Sequence, residues 1–247
     1  MANPHSPIIE LDSIDSTNNY AMQLIDANKA QNGMTIRADM QLEGRGQRGK
    51  TWSGQPGESL MMSIIAFPQK KLHDQFRFNA AVAVAVANVL IKSTGLNNIK
   101  IKWPNDIIIN DKKAGGILIE NVIKGSQWYS CVIGIGLNVR QSSFSPDLPF
   151  ATSLRIESGK DLNITTLCTM IRDAVMEHTG PSQAEGTEME AYNQLLYRRG
   201  MLQNFRSGDE TISALILEAA PDGTLALQHA GGAIIHYQHG QVLWVWE

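Results

Sequence analysis

The run Gly44-Arg45-Gly46-Gln47-Arg48-Gly49-Lys50-Thr51-Trp52 alternates three glycines with two arginines and a glutamine. Glycine has no Cβ, so its backbone can turn sharply and approach a ligand closely. Arginine and lysine bring charge, and arginine brings forked donors that match carboxylates and phosphates. The run reads as a loop wrapped around a small anion, although an exposed flexible basic loop would carry the same residues. A second cluster is Lys102-Trp103-Pro104-Asn105-Asp106, followed by Lys113-Ala114-Gly115-Gly116. Trp103-Pro104 gives a stiff extended corner. Asn105 and Asp106 are short acceptors for a hydroxyl, a metal-bound water or local backbone. Lys113 precedes two glycines, so its ammonium can reach a ligand close to the backbone; a β-turn with solvated lysines is the alternative. The third element is Gly134-Ile135-Gly136-Leu137-Asn138. Alternating glycines in an apolar strand imply that something packs directly on the backbone, whether a ligand or a tightly packed sheet. No helix follows, so this is not the dinucleotide fingerprint.

The elements that must position these residues follow from periodicity. Ile8 to Leu11 is a strand, and Asp15-Ser16-Thr17-Asn18 supplies cap-type residues for a helix through Tyr20, Ala21, Leu24 and Ile25. Met34 to Gln41 is a strand leading into the glycine-arginine run, and Leu60 to Phe67 is a buried strand between Pro56-Gly57 and Pro68. Within His73 to Thr94, the Ala80–Val86 segment alternates alanine and valine as a strand would. That segment has no polar residue on its alternate face, and the whole stretch is too long for one strand and ends at Gly95, so it is predicted to be a buried helix. Strands are predicted at Ile99 to Trp103 and Ile107 to Asn110, with a hairpin of Ile117 to Lys124 and Trp128 to Asn138 around Gly125-Ser126. Leu167, Met170, Ile171, Ala174 and Val175 form a helical stripe within Asn163 to Thr179, and a further helix covers Thr187 to Arg198. From Gly200 onward, short strands (Thr211 to Leu217, Thr224 to Gln228, Ala233 to Tyr237, Val242 to Trp246) alternate with turn residues, the pattern of a small β-barrel.

Composition narrows the class. The chain has 247 residues with 43% hydrophobic and 18% charged, ordinary for a globular protein. The net charge of −3 gives no global attraction for nucleic acid or an acidic membrane. Cys131 and Cys168 each lie in an apolar stretch and read as buried free thiols, and the six histidines lack ligand spacing. Met1 to His5 shows no secretory pattern, and no apolar run reaches the roughly 20 residues that span a bilayer. The expectation is a cytoplasmic protein with no metal cluster of its own.

Taken in order and spacing, Asp15-Ser16-Thr17-Asn18, Gln41, Gly44-Arg45-Gly46-Gln47-Arg48-Gly49, Lys102-Trp103-Pro104-Asn105-Asp106, Lys113-Ala114-Gly115-Gly116 and Gly136-Leu137-Asn138 resemble biotin–protein ligases. The likeness is strong over about residues 8 to 140, and the terminal strands match it in character. The resemblance implies an α+β fold: a mixed or antiparallel sheet with packed helices, like a class II synthetase, over residues 1–198, and an SH3-like barrel over 199–247. It implies that biotin and ATP give biotinyl-5′-AMP and pyrophosphate, with Mg²⁺ shared among the phosphates. Biotin then passes to one lysine of the biotin carboxyl carrier domain of a carboxylase.

By the same resemblance, Ser16, Thr17 and Gln41 would hydrogen-bond biotin's ureido head group, and Asn18 and Gly116 would also bind biotin. Arg45, Gly46 and Gln47 would close over the ligand in a loop that ligand orders. Lys113 would contact the biotin carboxylate or the adenylate phosphate, which makes Lys113 and Arg45 the catalytic candidates. Arg48, Trp52, Lys102, Asn105, Asp106, Gly136 and Asn138 would serve ATP or the adenylate. Some members read Gly-Arg-Gly-Arg-Arg-Gly, so Gln47 removes a positive charge and weakens the expected hold on the intermediate. Some also carry an N-terminal DNA-binding domain; too few residues precede Ser16 for one here, so a ligase without DNA binding is expected, as monomer or homodimer. A lipoate–protein ligase or octanoyltransferase is the nearest rival, since it would share the fold and modify a carrier lysine. A non-catalytic biotin sensor is the other, and it would have no need of Lys102, Asp106 and Lys113.

Overall fold

The strand Ser59–Ala66 is buried along its whole length, which requires a covered sheet on both faces. The computed structural model, which describes residues 6–52, 54–180 and 186–246, shows why. Strands β1 (Ile8–Ile14), β2 (Thr35–Gln41), β3 (Ser59–Ala66), β4 (Ile99–Lys102), β5 (Asp106–Ile109), β6 (Lys112–Lys124) and β7 (Gln127–Asn138) form a seven-stranded sheet in the order β1-β2-β3-β7-β6-β5-β4. Only β1 and β2 run parallel; the remaining neighbours are antiparallel. The fold is α+β with a mixed sheet.

Helix α1 (Thr17–Asp26) covers one face, where Ala21 and Ile25 pack with Ile36, Ile65 and Val132. Helices α2 (Gln75–Thr94) and α4 (Ile164–His178) cover the other, where the alternate residues Leu60, Met62 and Ile64 join the main core. Helix α2 is as expected: its alanines permit close packing, and Gly95 ends it with φ +79, a left-handed conformation suited to glycine. The stretch Leu72–Thr94 is nevertheless long and apolar enough to cross a bilayer, so the reading that no segment reaches that length is corrected. Its composition reflects burial against α4 and α5 (Thr187–Leu195). Asn163 caps α4, its side chain accepting from the Thr166 amide.

Two elements escaped the sequence reading: α3 (Leu154–Ser158) and β8 (Leu202–Ser207). The first is barely more than one turn, and the second places Gln203 inside the protein, where it breaks apolar alternation. With β9 (Glu210–Ala219), β10 (Leu225–His229), β11 (Ile234–Tyr237) and β12 (Leu243–Trp244), β8 forms a five-stranded antiparallel sheet in the order β11-β10-β9-β8-β12. Among the described residues no pairing joins β11 to β12, so the observation is an antiparallel sheet rather than the closed barrel expected. Both cysteines are buried and free; burial pushes the Cys168 thiol up to about 11 and the Cys131 thiol well above its ordinary value. The Met1–His5 segment lies outside the described residues.

Candidate active site

The glycine-arginine run is a small hydrogen-bonded hairpin. The Trp52 amide donates to Gly44 O (2.9 Å), the Gly46 amide donates to Lys50 O (2.7 Å), and Arg45 bridges Thr51. A 3-10 turn over Gln47–Gly49 forms the tip, with Arg48 in the left-handed region at φ 56. Gly44 is required by closeness, since a Cβ there would collide with the Trp52 carbonyl. At the tip, the Arg48 guanidinium lies against Gly240 and donates to His239 O (3.3 Å), so the C-terminal sheet holds the end of the loop.

Strand register builds the floor. Ser63, Gly134 and Leu118 stand in one row across β3, β7 and β6, and Met61, Gly136 and Gly116 form the next. Cβ atoms at the two β7 glycines would strike Asn18 and the Trp52 ring respectively. What packs on the bare backbone is therefore the protein's own side chains. Asn18 accepts from Ser63 Oγ (2.6 Å), and that hydroxyl also lies 2.7 Å from Thr17 Oγ1. Gln41 Oε1 accepts from both the amide (2.8 Å) and the hydroxyl (3.0 Å) of Thr17. Ser16, the helix N-cap residue, makes no side-chain cap, which leaves its hydroxyl uncommitted to the helix it precedes. The result is a neutral, buried cluster of donors and acceptors.

The cationic end depends on a β-bulge. Lys113 and Gly116 are three residues apart and would face opposite ways in a regular strand. The register between β5 and β6 shifts at Ile107/Ile108, leaving Ala114 as the extra residue. This turns Lys113 onto the face of Gly116. Lys113 Nζ then reaches Asp106 Oδ1 (2.7 Å), while Lys102 Nζ reaches Oδ2 (3.1 Å). Burial opposes ionisation of Asp106, but the two ammoniums outweigh it and hold its carboxyl below the usual range. Burial also lowers Lys102, against the pull of Asp106. Lys102 is further enclosed by the Trp244 and Trp246 rings, each centred 5.6 Å from Nζ. Asp106 is thus the partner of two lysines rather than a free acceptor. Asn105 is likewise engaged, its amide donating to Ile117 O.

Neutral floor and cationic end open into one cavity of about 470 Å³. It brings together Ser16, Thr17, Asn18, Gln41, Arg45, Gly46, Gln47, Arg48, Trp52, Lys102, Asn105, Asp106, Lys113, Gly116 and Gly136. Asn138 does not join them. Its amide donates to Thr152 O (3.0 Å), and it lines a neighbouring cavity of about 540 Å³ with Phe144 and Phe150. The two cavities share Thr51, Trp52 and Lys113. Sequence reasoning missed Ser63, which backs the floor through Thr17 and Asn18, Lys50, and the wall given by the C-terminal segment, including Phe205, Arg206, His239, Trp244 and Trp246. Lys50, inside the quoted run, was open to detection; Ser63 was hidden in an apolar strand. Among the described residues no group of three or more His, Cys, Asp or Glu could hold a metal ion.

The family described as Biotin/lipoate A/B protein ligase matches residues 10–138, just over half of the chain. The chain belongs to that family. Within it, the bifunctional ligase/repressor BirA of Bacillus spizizenii is 38% identical over 159 residues, which are 63% of this chain and 48% of that protein. The biotin–[acetyl-CoA-carboxylase] ligase of Paracoccus denitrificans is 31% identical over 126 residues, covering 51% of each chain. The chain thus spans about half the length of these curated relatives. A solved biotin protein ligase of Aquifex aeolicus, in complex with biotin and ATP, superposes with a TM-score of 0.80 over 97% of this chain and 99% of its own, at 22% identity. That likeness carries the fold.

Proposed function

We propose that this member of the biotin/lipoate ligase family is a biotin–protein ligase. The observation that carries the reading is the two-ended cavity: a neutral hydrogen-bonding floor at Thr17, Asn18 and Gln41, backed by the buried Ser63, and Lys102 with Lys113 at the other end. A ureido ring offers N–H donors and a carbonyl acceptor that match such a floor, whereas a dithiolane ring offers neither. Biotin's carboxylate would then lie toward Lys113 and the nucleotide's α-phosphate between Lys113, Lys102 and Arg48. The base would occupy the adjoining cavity, between Trp52, Phe144 and Phe150 and near Asn138.

In the first step a carboxylate oxygen attacks the α-phosphorus and pyrophosphate leaves. Holding two anions in line and offsetting their repulsion is what fixed ammonium and guanidinium groups do well. In the second, the amine of a carrier lysine attacks the acyl carbon and AMP leaves, with biotin now in amide linkage. The carrier would be the biotin carboxyl carrier domain of a carboxylase. Asp106, the carboxylate flanked by both lysines, has both oxygens engaged, so the donor set does not fit a resident Mg²⁺; the ion would arrive on the phosphates of ATP. Gln47, at the loop tip, contributes no charge, and we expect the adenylate to be held less firmly than a third cation would hold it. Residues 1–198 would carry the chemistry, with 199–247 as an SH3-like unit that completes the wall.

Purified protein with biotin, ATP and Mg²⁺ should add one biotin to a carrier domain, read by mass spectrometry. Biotin-dependent pyrophosphate release separates a ligase from a biotin-binding module, and a calorimetric titration should show heat with biotin but not lipoate. Lys113→Ala should slow adenylate formation about 100-fold; turnover at the unsubstituted rate removes Lys113 from the chemistry.

A further inference from the structure

Glu120 takes no part in the chemistry proposed above, yet it joins the two parts of the site that must act together. On β6 it stands one row beyond Leu118, opposite Val132, on the cavity face of the sheet. Its carboxylate oxygens go to different partners. Oε2 accepts from Asn18 Nδ2 (2.7 Å), and Oε1 pairs with Arg45 Nη2 (3.1 Å). Asn18 belongs to the neutral floor, where its other end accepts from Ser63. Arg45 belongs to the loop, and it also donates to Asn19 Oδ1 (3.0 Å) beside Asn18 on α1.

We infer that Glu120 is a positioning residue, coupling occupation of the head-group floor to closure of the Gly44–Trp52 loop. The inference rests on the biotin reading for the identity of the ligand, but not for the tether itself. The chain of contacts is short: a ligand that hydrogen-bonds the Thr17–Asn18 cluster fixes the Asn18 amide, which fixes one carboxylate oxygen of Glu120. The other oxygen then has one orientation in which to receive Arg45. The Arg45 side chain is 50% exposed and Glu120 22%, so solvent weakens the ion pair and its contribution to global stability is small. Its effect is directional, restricting where the loop cation points. Coupling of this kind is reciprocal: a loop held closed retains the head group, and a bound head group steadies the loop.

Glu120→Gln keeps an oxygen able to accept from Asn18 but removes the charge opposite Arg45. The test is amide hydrogen exchange at Gly46 and Trp52, both internally bonded in the loop hairpin, with Ile133 in the central sheet as a folding control. Without ligand, Glu120→Gln should speed exchange at Gly46 and Trp52 several-fold and leave Ile133 unchanged; unchanged loop exchange overturns the tether, whatever the ligand proves to be. With biotin, the unsubstituted chain should gain protection in the loop. Glu120→Gln should bind biotin within about threefold as tightly yet lose most of that protection, and should release the adenylate about fivefold faster. Adding Glu120→Gln to Arg45→Ala should change neither quantity further. Additive effects, or full loop protection by biotin in the single variant, overturn the coupling. A chain that binds no biotin refutes the ligand assignment and leaves the tether to be decided by the ligand-free exchange.

Discussion

Asp106 is the residue whose surroundings differ most from what its neighbours in sequence suggest. It follows a turn-forming Pro104-Asn105 pair, but its side chain is 15% exposed and pairs with both Lys102, 13% exposed, and Lys113, 36% exposed. Removing one partner of a buried pair leaves uncompensated charge. Asp106→Asn should therefore lower stability at pH 7 by about 3 kcal/mol, measured by urea unfolding. The pH dependence follows from the lowered carboxyl. The unfolded chain binds the proton more tightly, so the stabilisation is complete above about pH 4 and is lost as pH falls through the folded value. The gap between the two proteins should shrink at acid pH; a constant gap would mean that the carboxylate's charge is not what stabilises.

At the scale of elements, β7 and the two segments resting on it form one unit. Gly134 receives Asn18 from α1, and Gly136 receives Trp52 from the loop, within 2.5 Å of where a Cβ would stand. Because both visitors are pinned, by Ser63 and Glu120 in one case and by the loop hairpin in the other, an added methyl group cannot be absorbed freely. Gly134→Ala and Gly136→Ala should each cost about 1–3 kcal/mol by overpacking. Their signatures should differ. Gly134→Ala should weaken biotin binding with Trp emission unchanged, whereas Gly136→Ala should shift the emission of Trp52, checked against Trp52→Phe. Identical behaviour of the two variants would refute the separate seating of Asn18 and Trp52.

For the whole molecule, the cavity is shared between two sheets. The Trp103 indole donates to Gly223 O (3.1 Å) across that boundary, and its ring meets His239 edge-on at 5.6 Å. Phe150 stacks on Trp246 at 5.2 Å, bringing the lining of the second cavity against the end of the described chain. Trp103→Phe keeps the ring contact and loses the hydrogen bond, so it should cost about 1 kcal/mol. On the proposed placement of the ligands, the Lys102 end borders the C-terminal sheet and the Thr17–Asn18 floor does not, so this change should weaken ATP several-fold and leave biotin affinity unaltered. Equal effects on both ligands would contradict that division.

By itself the sequence determined the main elements, the buried α2 and α4, and a family resemblance that the matching residues 10–138 bear out. These are legible because periodicity, caps and glycine-rich runs act over a few residues. It did not show that the glycines of β7 make room for Asn18 and Trp52, since those contacts join residues far apart in the chain. Nor did it show that Asn138 turns to Thr152 and lines the second cavity rather than the first. Only the tertiary structure decided that a bulge at Ala114 would aim Lys113 into the cavity. One extra residue in a pairing reverses every side chain beyond it, and no local pattern records where the partner strand lets that happen. The C-terminal wall was settled the same way: Arg206, His239 and Trp246 carry no motif, and packing alone sets them around Lys102 and Arg48.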